Sequence, residues 1–431
     1  MTEERAVTEE RPWFGQPRGL TVLFLTNMWE QFSYYGMRAL LVYYMTKQLL
    51  MGQQQSSYIY GAYTACAYFT PIIGGVIADR FLGKRWAVII GASIMALGHF
   101  MMASETLFFA ALTAIALGNG LFLPSLPSQV GDLYQRDDPR RPWAFNVYYV
   151  GINIGGFLAP LICGTLGEVY GWHYGFGAAG IGMVAGLLIY LWGQRYLPPE
   201  QPRATPAQKA VREGFSRQTI LLLLGIAIAV TVFRGAYEQV GNTVALWADS
   251  GIDRQAGSFA IPMTWFQSLN PLFVMVMTPP LLAYWQRRAL TDPHQALVKR
   301  MALGALIVGA SYVLLAVVSA ASGGQLANWA WLVLFFVILT FGELFILPTG
   351  LGLFARLAPP HLGATTVAAW FLVIFSGSLS AGFVGSLWSR MPHAQFFALL
   401  AGLAALAAGM LFAIGHRADR APDRMENPDS V

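Results

Sequence analysis

The chain has 431 residues, of which 56% are apolar and 11% are charged, with 27 Lys and Arg residues against 22 Asp and Glu residues. An ordinary soluble domain carries roughly 25% charged residues, so this composition excludes a soluble cytosolic enzyme and a disordered chain. The two cysteines, Cys66 and Cys163, lie in apolar runs and lack the spacing of a disulfide framework or a metal site. A polytopic integral membrane protein without a metal remains.

Twelve apolar runs follow one another along the chain, each long enough for a membrane-spanning helix of about 20 residues. They are predicted as spans 1 to 12, at 19–48, 56–78, 86–104, 107–131, 143–165, 173–194, 218–247, 258–284, 301–321, 327–354, 363–388 and 394–415. Several contain proline, which membrane helices tolerate because neighbouring groups satisfy the freed backbone atoms. The sequence therefore predicts an all-α membrane protein with twelve transmembrane helices.

The basic residues are divided very unevenly between the two sides of this arrangement. Twenty-two of the 27 lie in one alternating set of loops and termini, and only Lys47, Arg254 and Arg390 lie in the opposite loops. Because Lys and Arg concentrate on the cytoplasmic side, we expect both termini in the cytoplasm. The expected location is a bacterial inner (plasma) membrane. The lipid bilayer is thus an expected partner, and no basic helix face indicates nucleic-acid binding.

A single long polar, proline-containing stretch interrupts the series of spans and separates six helices from six. The predicted organisation is a cytoplasmic tail at 1–18, a bundle at 19–196, a cytoplasmic linker at 197–217, a second bundle at 218–415 and a cytoplasmic tail at 416–431. The loop GGVIADRFLGKR, with Asp79, Arg80 and Gly83, resembles the signature of the major facilitator superfamily. That resemblance implies two six-helix bundles around a central cavity. The loop is interpreted as a tight turn bracing helix ends, with direct substrate contact as the alternative.

Five charged residues fall well inside spans, where such groups are costly and are functional candidates by default. They are Glu30 and Arg38 in span 1, Arg234 and Glu238 in span 7, and Glu343 in span 10. Their charges sum to −1 when all are ionised, so at least one Glu is expected to carry a proton at rest.

The polar residues of span 1 follow helical spacing. Asn27, Glu30, Gln31, Tyr34 and Arg38 recur at intervals of three and four residues. This spacing puts them on one stripe, which favours a face turned toward a central cavity.

Several motifs together resemble the proton-dependent oligopeptide transporter (POT/PTR) family. They are NMWEQFSYYGMRALL, GNGLFLPSLPSQVGDLY, FNVYYVGINIGGFLAP, AYEQVGN, IPMTWFQSLNP and FGELFILPTGLGL, in family order between about residues 19 and 415. The resemblance implies proton-coupled symport of di- and tripeptides by alternating access, with protons as the coupling ion. We expect the protein to need no other cofactor and to work as a monomer.

Three departures from the family pattern alter its charges. The family's E-x-x-E-R motif reads Asn27, Glu30 and Gln31 here, and the usual Lys of span 4 is Leu123. Arg234 stands where the family commonly has Trp. The sequence thus indicates a divergent member with a rebuilt charge network.

By this resemblance, Arg38 would bind the peptide carboxylate, since guanidinium donates two parallel hydrogen bonds, and Glu343 would bind the amino group. The full set of implied substrate-binding residues is Tyr34, Tyr35, Arg38, Tyr68, Asn153, Gln267, Asn270, Glu343 and Trp370. The alternative for the aromatic residues is core packing. Membrane Asn and Gln residues also commonly join helix pairs.

The residues expected to act in proton coupling and gating are Glu30, Arg38, Arg234, Glu238 and Glu343. Arg234 and Glu238 lie at i and i+4 and are expected to pair. Arg234 either replaces the cations lost at Gln31 and Leu123 or only neutralises Glu238. Glu30 is expected to stay protonated or to find an amide partner in Asn27 or Gln31, and it is either a residual coupling site or silent.

A second hypothesis keeps the fold and changes the cargo to another small organic solute, such as an organic anion, a drug-like molecule or a peptide derivative, with altered or absent proton coupling. A third is a receptor or membrane enzyme. No nucleophile–base pair, metal cluster or phosphate-binding loop favours an enzyme.

Overall fold

The computed structural model describes residues 15–135, 138–200, 217–291, 297–356 and 363–418. These residues are folded almost entirely into α-helices, which follow the predicted apolar runs. These are α1 (Arg18–Tyr43), α2 (Gln53–Ile77), α3 (Lys84–Met101), α4 (Phe108–Asp132), α5 (Arg141–Ala159), α6 (Thr165–Val169), α7 (Trp172–Gly193), α8 (Arg217–Tyr237), α9 (Thr243–Ser250), α10 (Leu269–Thr291), α11 (Leu297–Ala321), α12 (Trp329–Arg356), α13 (Gly363–Gly385) and α14 (His393–Ala418).

Within the described ranges, nine helical stretches are long and apolar enough to cross a membrane. Span 5 is formed by α5 and α6 joined through a π-helical turn, and span 7 by α8 and α9 joined through a 3-10 turn. The other three predicted spans coincide with α1, α3 and α10. These helices carry embedded charges (α1), begin with Lys84 and Arg85 (α3) or contain Pro279 and Pro280 (α10). The helix order is therefore consistent with twelve spans.

Among the described residues, two π-helical turns end α1 and α2, a third joins α5 to α6, and a 3-10 turn joins α8 to α9. The π turns are Tyr44–Gln48, Ala78–Leu82 and Pro160–Gly164. At the α8–α9 junction, Glu238–Gly241 forms a 3-10 turn that ends at Asn242. Because such turns redirect side chains and are frequent at functional positions, this junction sets the direction in which Glu238 and its neighbour point.

Among the described residues, short strands lie in the loops after α9 and α11. Strand β1 (Ile252–Asp253) pairs in parallel with β4 (Ala327–Asn328), and β2 (Gln255–Ala256) pairs antiparallel with β3 (Phe259–Ala260). A 3-10 turn, Met263–Ser268, then leads into α10. These pairings brace the loops that connect the C-terminal helices.

The chain divides by its contacts into two compact units. Unit 1 comprises residues 1–40 and 70–206, and unit 2 comprises 41–69 and 207–431. The described residues thus place the segment 41–69 with the C-terminal helices. The predicted bundle boundaries remain predictions. The predicted tails and linker fall largely on residues 1–14, 201–216 and 419–431, which lie outside the described residues.

Each unit contains a pair of helices that cross at glycine. In unit 1, a Cβ added at Gly91 of α3 would lie 2.6 Å from the Gly118 carbonyl oxygen of α4. In unit 2, a Cβ at Gly304 of α11 would lie 2.6 Å from the Gly342 carbonyl oxygen of α12. Small residues let membrane helices approach closely and pack through their backbones. The third and fourth spans of each half therefore cross in the same way, as expected of two related bundles.

Candidate functional site

The loop after α2 is a compact turn, and its basic residues hold other parts of unit 1. Gly83 has a φ of +82°, which favours glycine. The Lys84 ammonium lies 2.6 Å from an Asp132 carboxylate oxygen at the end of α4. The Arg85 guanidinium donates to the backbone carbonyls of Leu197 (3.0 Å) and Pro198 (2.6 Å). This geometry is that of a turn bracing helix ends, the structural interpretation of the motif.

In unit 1, the polar stripe of α1 is largely packed inside the bundle. Glu30 is 1% exposed, and its carboxylate accepts a hydrogen bond of 2.7 Å from the Gln31 side-chain amide. The Asn27 amide instead donates to the backbone carbonyl of Tyr148 in α5, at 3.1 Å. Of the two amide partners proposed for Glu30, the structure therefore selects Gln31.

Toward the C-terminal end of α1, side chains on or beside this stripe are more exposed. Tyr34 is buried and meets the partly exposed Tyr35 edge to face, with ring centroids 5.4 Å apart. Arg38, one turn beyond Tyr34, is partly exposed. In α5, the buried Asn153 amide donates to the Tyr149 carbonyl of its own helix at 2.9 Å. That bond uses one of the two amide hydrogens, so the Asn153 side chain keeps one N–H donor and its acceptor oxygen for a ligand.

In unit 2, Glu343 of α12 lies in a cluster of hydrogen-bond donors. Its carboxylate accepts a 2.6 Å bond from the Asn270 side chain, which also lies 3.1 Å from the Thr340 hydroxyl. The Tyr237 hydroxyl bonds to the same carboxyl group. Glu343 as a residue remains partly exposed, and the cluster fixes the orientation of its carboxyl group.

The predicted pair between Arg234 and Glu238 is present in unit 2. The two side chains are 4% and 2% exposed, and their guanidinium and carboxylate are in direct contact. Arg234 also lies 3.4 Å from the Ser378 hydroxyl, and its guanidinium carbon lies 5.4 Å and 5.8 Å from the ring centres of Tyr68 and Tyr237. Guanidinium is attracted to aromatic faces at such distances. The cation is thus held from four directions.

The remaining predicted residues of unit 2 differ in their surroundings. Trp370 is 4% exposed and packs edge to face on Phe354, with ring centroids 5.1 Å apart. Gln267 is partly exposed in the 3-10 turn before α10, and Tyr68 is partly exposed beside Arg234. Sequence reasoning did not select Tyr237, although it directly precedes Glu238 in the motif AYEQVGN.

Comparison with known proteins supplies the family. The profile of the POT family matches residues 85–216 and 210–399. The chain belongs to the POT family. The family prediction from the motifs is thus confirmed, as is the all-α membrane fold, and POT proteins are transporters rather than enzymes.

Relatives cover almost the whole length of this POT chain. It is 32% identical to the uncharacterized transporter YclF of Bacillus subtilis, over 93% of this chain and 94% of YclF. It is 31% identical to a di-/tripeptide transporter of Lactococcus lactis subsp. cremoris, over 94% and 96% of the two chains. A crystal structure of a peptide transporter POT in complex with sulfate superimposes with a TM-score of 0.88, at 30% identity, over 95% of this chain and 96% of the other.

Proposed function

We propose that this POT protein imports di- and tripeptides together with protons by alternating access. The observation that carries the proposal is the Glu343 cluster, in which Asn270 and Tyr237 hold the carboxyl group of a partly exposed residue. A carboxylate fixed in this way complements a peptide amino group. The similarity to a di-/tripeptide transporter of Lactococcus lactis supports the same substrate class.

The opposite end of the peptide is assigned to Arg38. It is a partly exposed cation in a helix whose Asn27, Glu30 and Gln31 side chains are buried. Guanidinium binds a carboxylate through two parallel hydrogen bonds, which a neutral solute cannot form. Arg38 thus offers a cation for the peptide carboxylate, and Glu343 offers a carboxyl group for the amino group.

Proton coupling is assigned to the embedded carboxyl groups. Glu238 is paired with Arg234, so release of this pair on protonation would free a buried cation and change the packing of its neighbours. We propose that protons are the coupling ion and that no other cofactor takes part. If the two residues are exchanged, as Arg234→Glu with Glu238→Arg, we expect uptake to fall.

The protein is further proposed to work as a monomer in a bacterial inner membrane with both termini in the cytoplasm. The distribution of Lys and Arg over the loops supports this orientation. Impermeant labelling of a cysteine added after residue 431 tests it directly. Labelling of intact cells would contradict the orientation.

Uptake of a labelled dipeptide into proteoliposomes, with and without an inward proton gradient, tests the main proposal. We expect gradient-driven accumulation. Glu343→Gln removes a charge-assisted bond of about 1.5–3 kcal/mol, so uptake at low substrate concentration should fall about 10- to 100-fold. Glu105→Gln, an exposed carboxyl at the start of α4, is the matched control and should leave uptake unchanged.

Two outcomes would redirect the assignment. Absence of uptake for every dipeptide tested would favour transport of another organic solute. Uptake that does not respond to the gradient would keep the substrate class and remove the coupling.

A further inference from the structure

Gln239, the residue after Glu238, is the centre of a buried hydrogen-bond network in unit 2. It is 0% exposed. Its amide nitrogen donates to the Gly235 carbonyl of α8 at 3.0 Å and to the Ala381 carbonyl of α13 at 2.8 Å. Its oxygen accepts from Thr243 at 3.0 Å and from Asn242 at 3.4 Å. One side chain therefore joins α8, α9 and α13, and nothing in the proposed binding mechanism uses it.

The network continues from Gln239 into the first part of α2. The Asn242 oxygen accepts a 3.1 Å bond from the Ser57 hydroxyl, which in turn accepts a 2.7 Å bond from the Gln53 amide. The same Gln53 amide donates to the Gly385 carbonyl of α13 at 2.9 Å. We call this chain of side chains, Gln53, Ser57, Gln239, Asn242 and Thr243, the amide lock.

Backbone packing brings the same two helices close together beside the amide lock. A Cβ at Gly61 of α2 would lie 2.5 Å from the Gly382 Cα of α13. Because glycine has no side chain, the two helix backbones can touch directly at this position. The segment 53–69 is thus held to α13 by backbone contact and by hydrogen bonds that are buried or partly buried.

The second part of α2 has different partners. The Thr70 hydroxyl donates to the Ala116 carbonyl of α4 at 2.7 Å, and a Cβ at Gly74 would overlap the Gly120 carbonyl of the same helix. The division of the chain into two units falls between residues 69 and 70. Pro71 lies directly after it, inside the helix. Proline removes a backbone hydrogen bond and permits a helix to bend there.

The position of the amide lock along the helices indicates which side of the membrane it controls. Gln53 begins α2 shortly after Lys47, Asn242 precedes the α9 segment that leads to Arg254, and Gly385 ends α13 just before Arg390. These three basic residues mark the loops that we assign to the outer face.

We propose that the amide lock keeps the outer end of the transporter closed, and that its release lets residues 53–69 swing away from α13 about Pro71. Gln239 is a positioning residue in this mechanism, since it acts through α2 and α13 rather than on the substrate. The inference rests on the proposed transport function and orientation.

A cysteine placed at a buried position beside α2 reports the open state, and its modification can be measured without substrate. In a background with Cys66→Ser and Cys163→Ser, Ser386→Cys places the reporter directly after the end of α13, at a position that is 3% exposed. The rate of modification by a membrane-impermeant maleimide, applied from outside, then measures the open fraction. Gln239→Leu removes the central residue of the amide lock and should raise this rate by about 10-fold or more, because several buried bonds are lost together.

Gln129→Leu is the matched control. Gln129 is also a buried glutamine, 5% exposed, and it accepts a 2.9 Å bond from the Tyr190 hydroxyl within unit 1. This variant should lower thermal stability as Gln239→Leu does but leave the modification rate unchanged. A milder variant, Ser57→Ala, removes one link of the lock and should raise the rate about 5-fold. It provides the test if Gln239→Leu does not reach the membrane.

An unchanged rate in a folded lock variant, or an equal rise in Gln129→Leu, overturns the proposal. Dipeptide uptake measured in the same vesicles separates the two hypotheses. If the parent takes up dipeptide but the lock variants label no faster than the parent, the lock alone is rejected. If the lock variants label faster but the parent takes up no dipeptide, peptide transport is rejected and the lock is retained.

Discussion

The contact between Arg234 and Glu238 makes a quantitative prediction about stability. Both side chains are almost completely buried, at 4% and 2% exposed. Removing one member of such a pair leaves the other charge in the bundle without this counter-charge, which costs about 3–5 kcal/mol, whereas replacing both by apolar residues is often close to neutral. We therefore expect Arg234→Leu and Glu238→Leu each to lower the free energy of unfolding strongly, and the double variant to lie within about 1–2 kcal/mol of the parent.

The measurement is a double-mutant cycle on the free energy of unfolding, from titration of the purified protein in mixed micelles with a denaturing detergent. The expected coupling energy is about 2 kcal/mol or more, since contacting buried residues couple strongly. Lys47 and Asp249 form the control pair, 2.7 Å apart but 42% and 21% exposed. Solvent and ions screen exposed pairs, so this cycle should give less than about 1 kcal/mol.

Additivity would refute the reasoning. If the two single losses sum in the double variant, the two side chains contribute independently and the pair does not neutralise charge in a medium of low dielectric constant. An Arg234→Leu variant as stable as the double variant would equally contradict it, because the remaining carboxylate would then carry no burial penalty.

Three further predictions concern other parts of the chain. Glu30→Gln should alter the dependence of dipeptide uptake on pH, and an unchanged profile would remove Glu30 from coupling. Gly74→Val should lower the yield of folded protein in a size-exclusion profile, because the new side chain would overlap a backbone carbonyl of α4. Hydrogen bonds from Arg140 lower the pKa of Asp138, so their contact is complete above the ordinary value of about 3.9 and is lost as pH falls through the lowered value. Hydrogen exchange at the Arg140 backbone amide should therefore be slower in the parent than in Asp138→Ala at pH 6, and the difference should disappear below the lowered pKa. Equal exchange at pH 6 would contradict this prediction.

Local sequence determined much of the fold. An apolar run of about 20 residues can satisfy its backbone inside a bilayer only as a helix, so each span could be predicted without knowledge of its neighbours. The pair formed by Arg234 and Glu238 could also be predicted, because residues four apart in a helix are adjacent on its surface. The five embedded charges followed from subtracting loop residues.

Partners distant in the chain were decided by tertiary structure. The spacing offered both Asn27 and Gln31 to Glu30, and packing of α1 on α5 turned Asn27 to the Tyr148 carbonyl. Gln239 reads in the sequence as one polar residue beside Glu238, yet its amide bonds to Ala381, 142 residues away.

The physical reason is that some properties belong to a single segment, whereas others depend on contacts between distant segments. Hydropathy and helical period are properties of a segment, so the sequence by itself determined the membrane class, the helices and the residues that carry charge inside them. Hydrogen bonds between helices depend on crossing points and on which backbone carbonyl each side chain reaches. Only the tertiary structure decided that Gln239 would join α2, α8, α9 and α13.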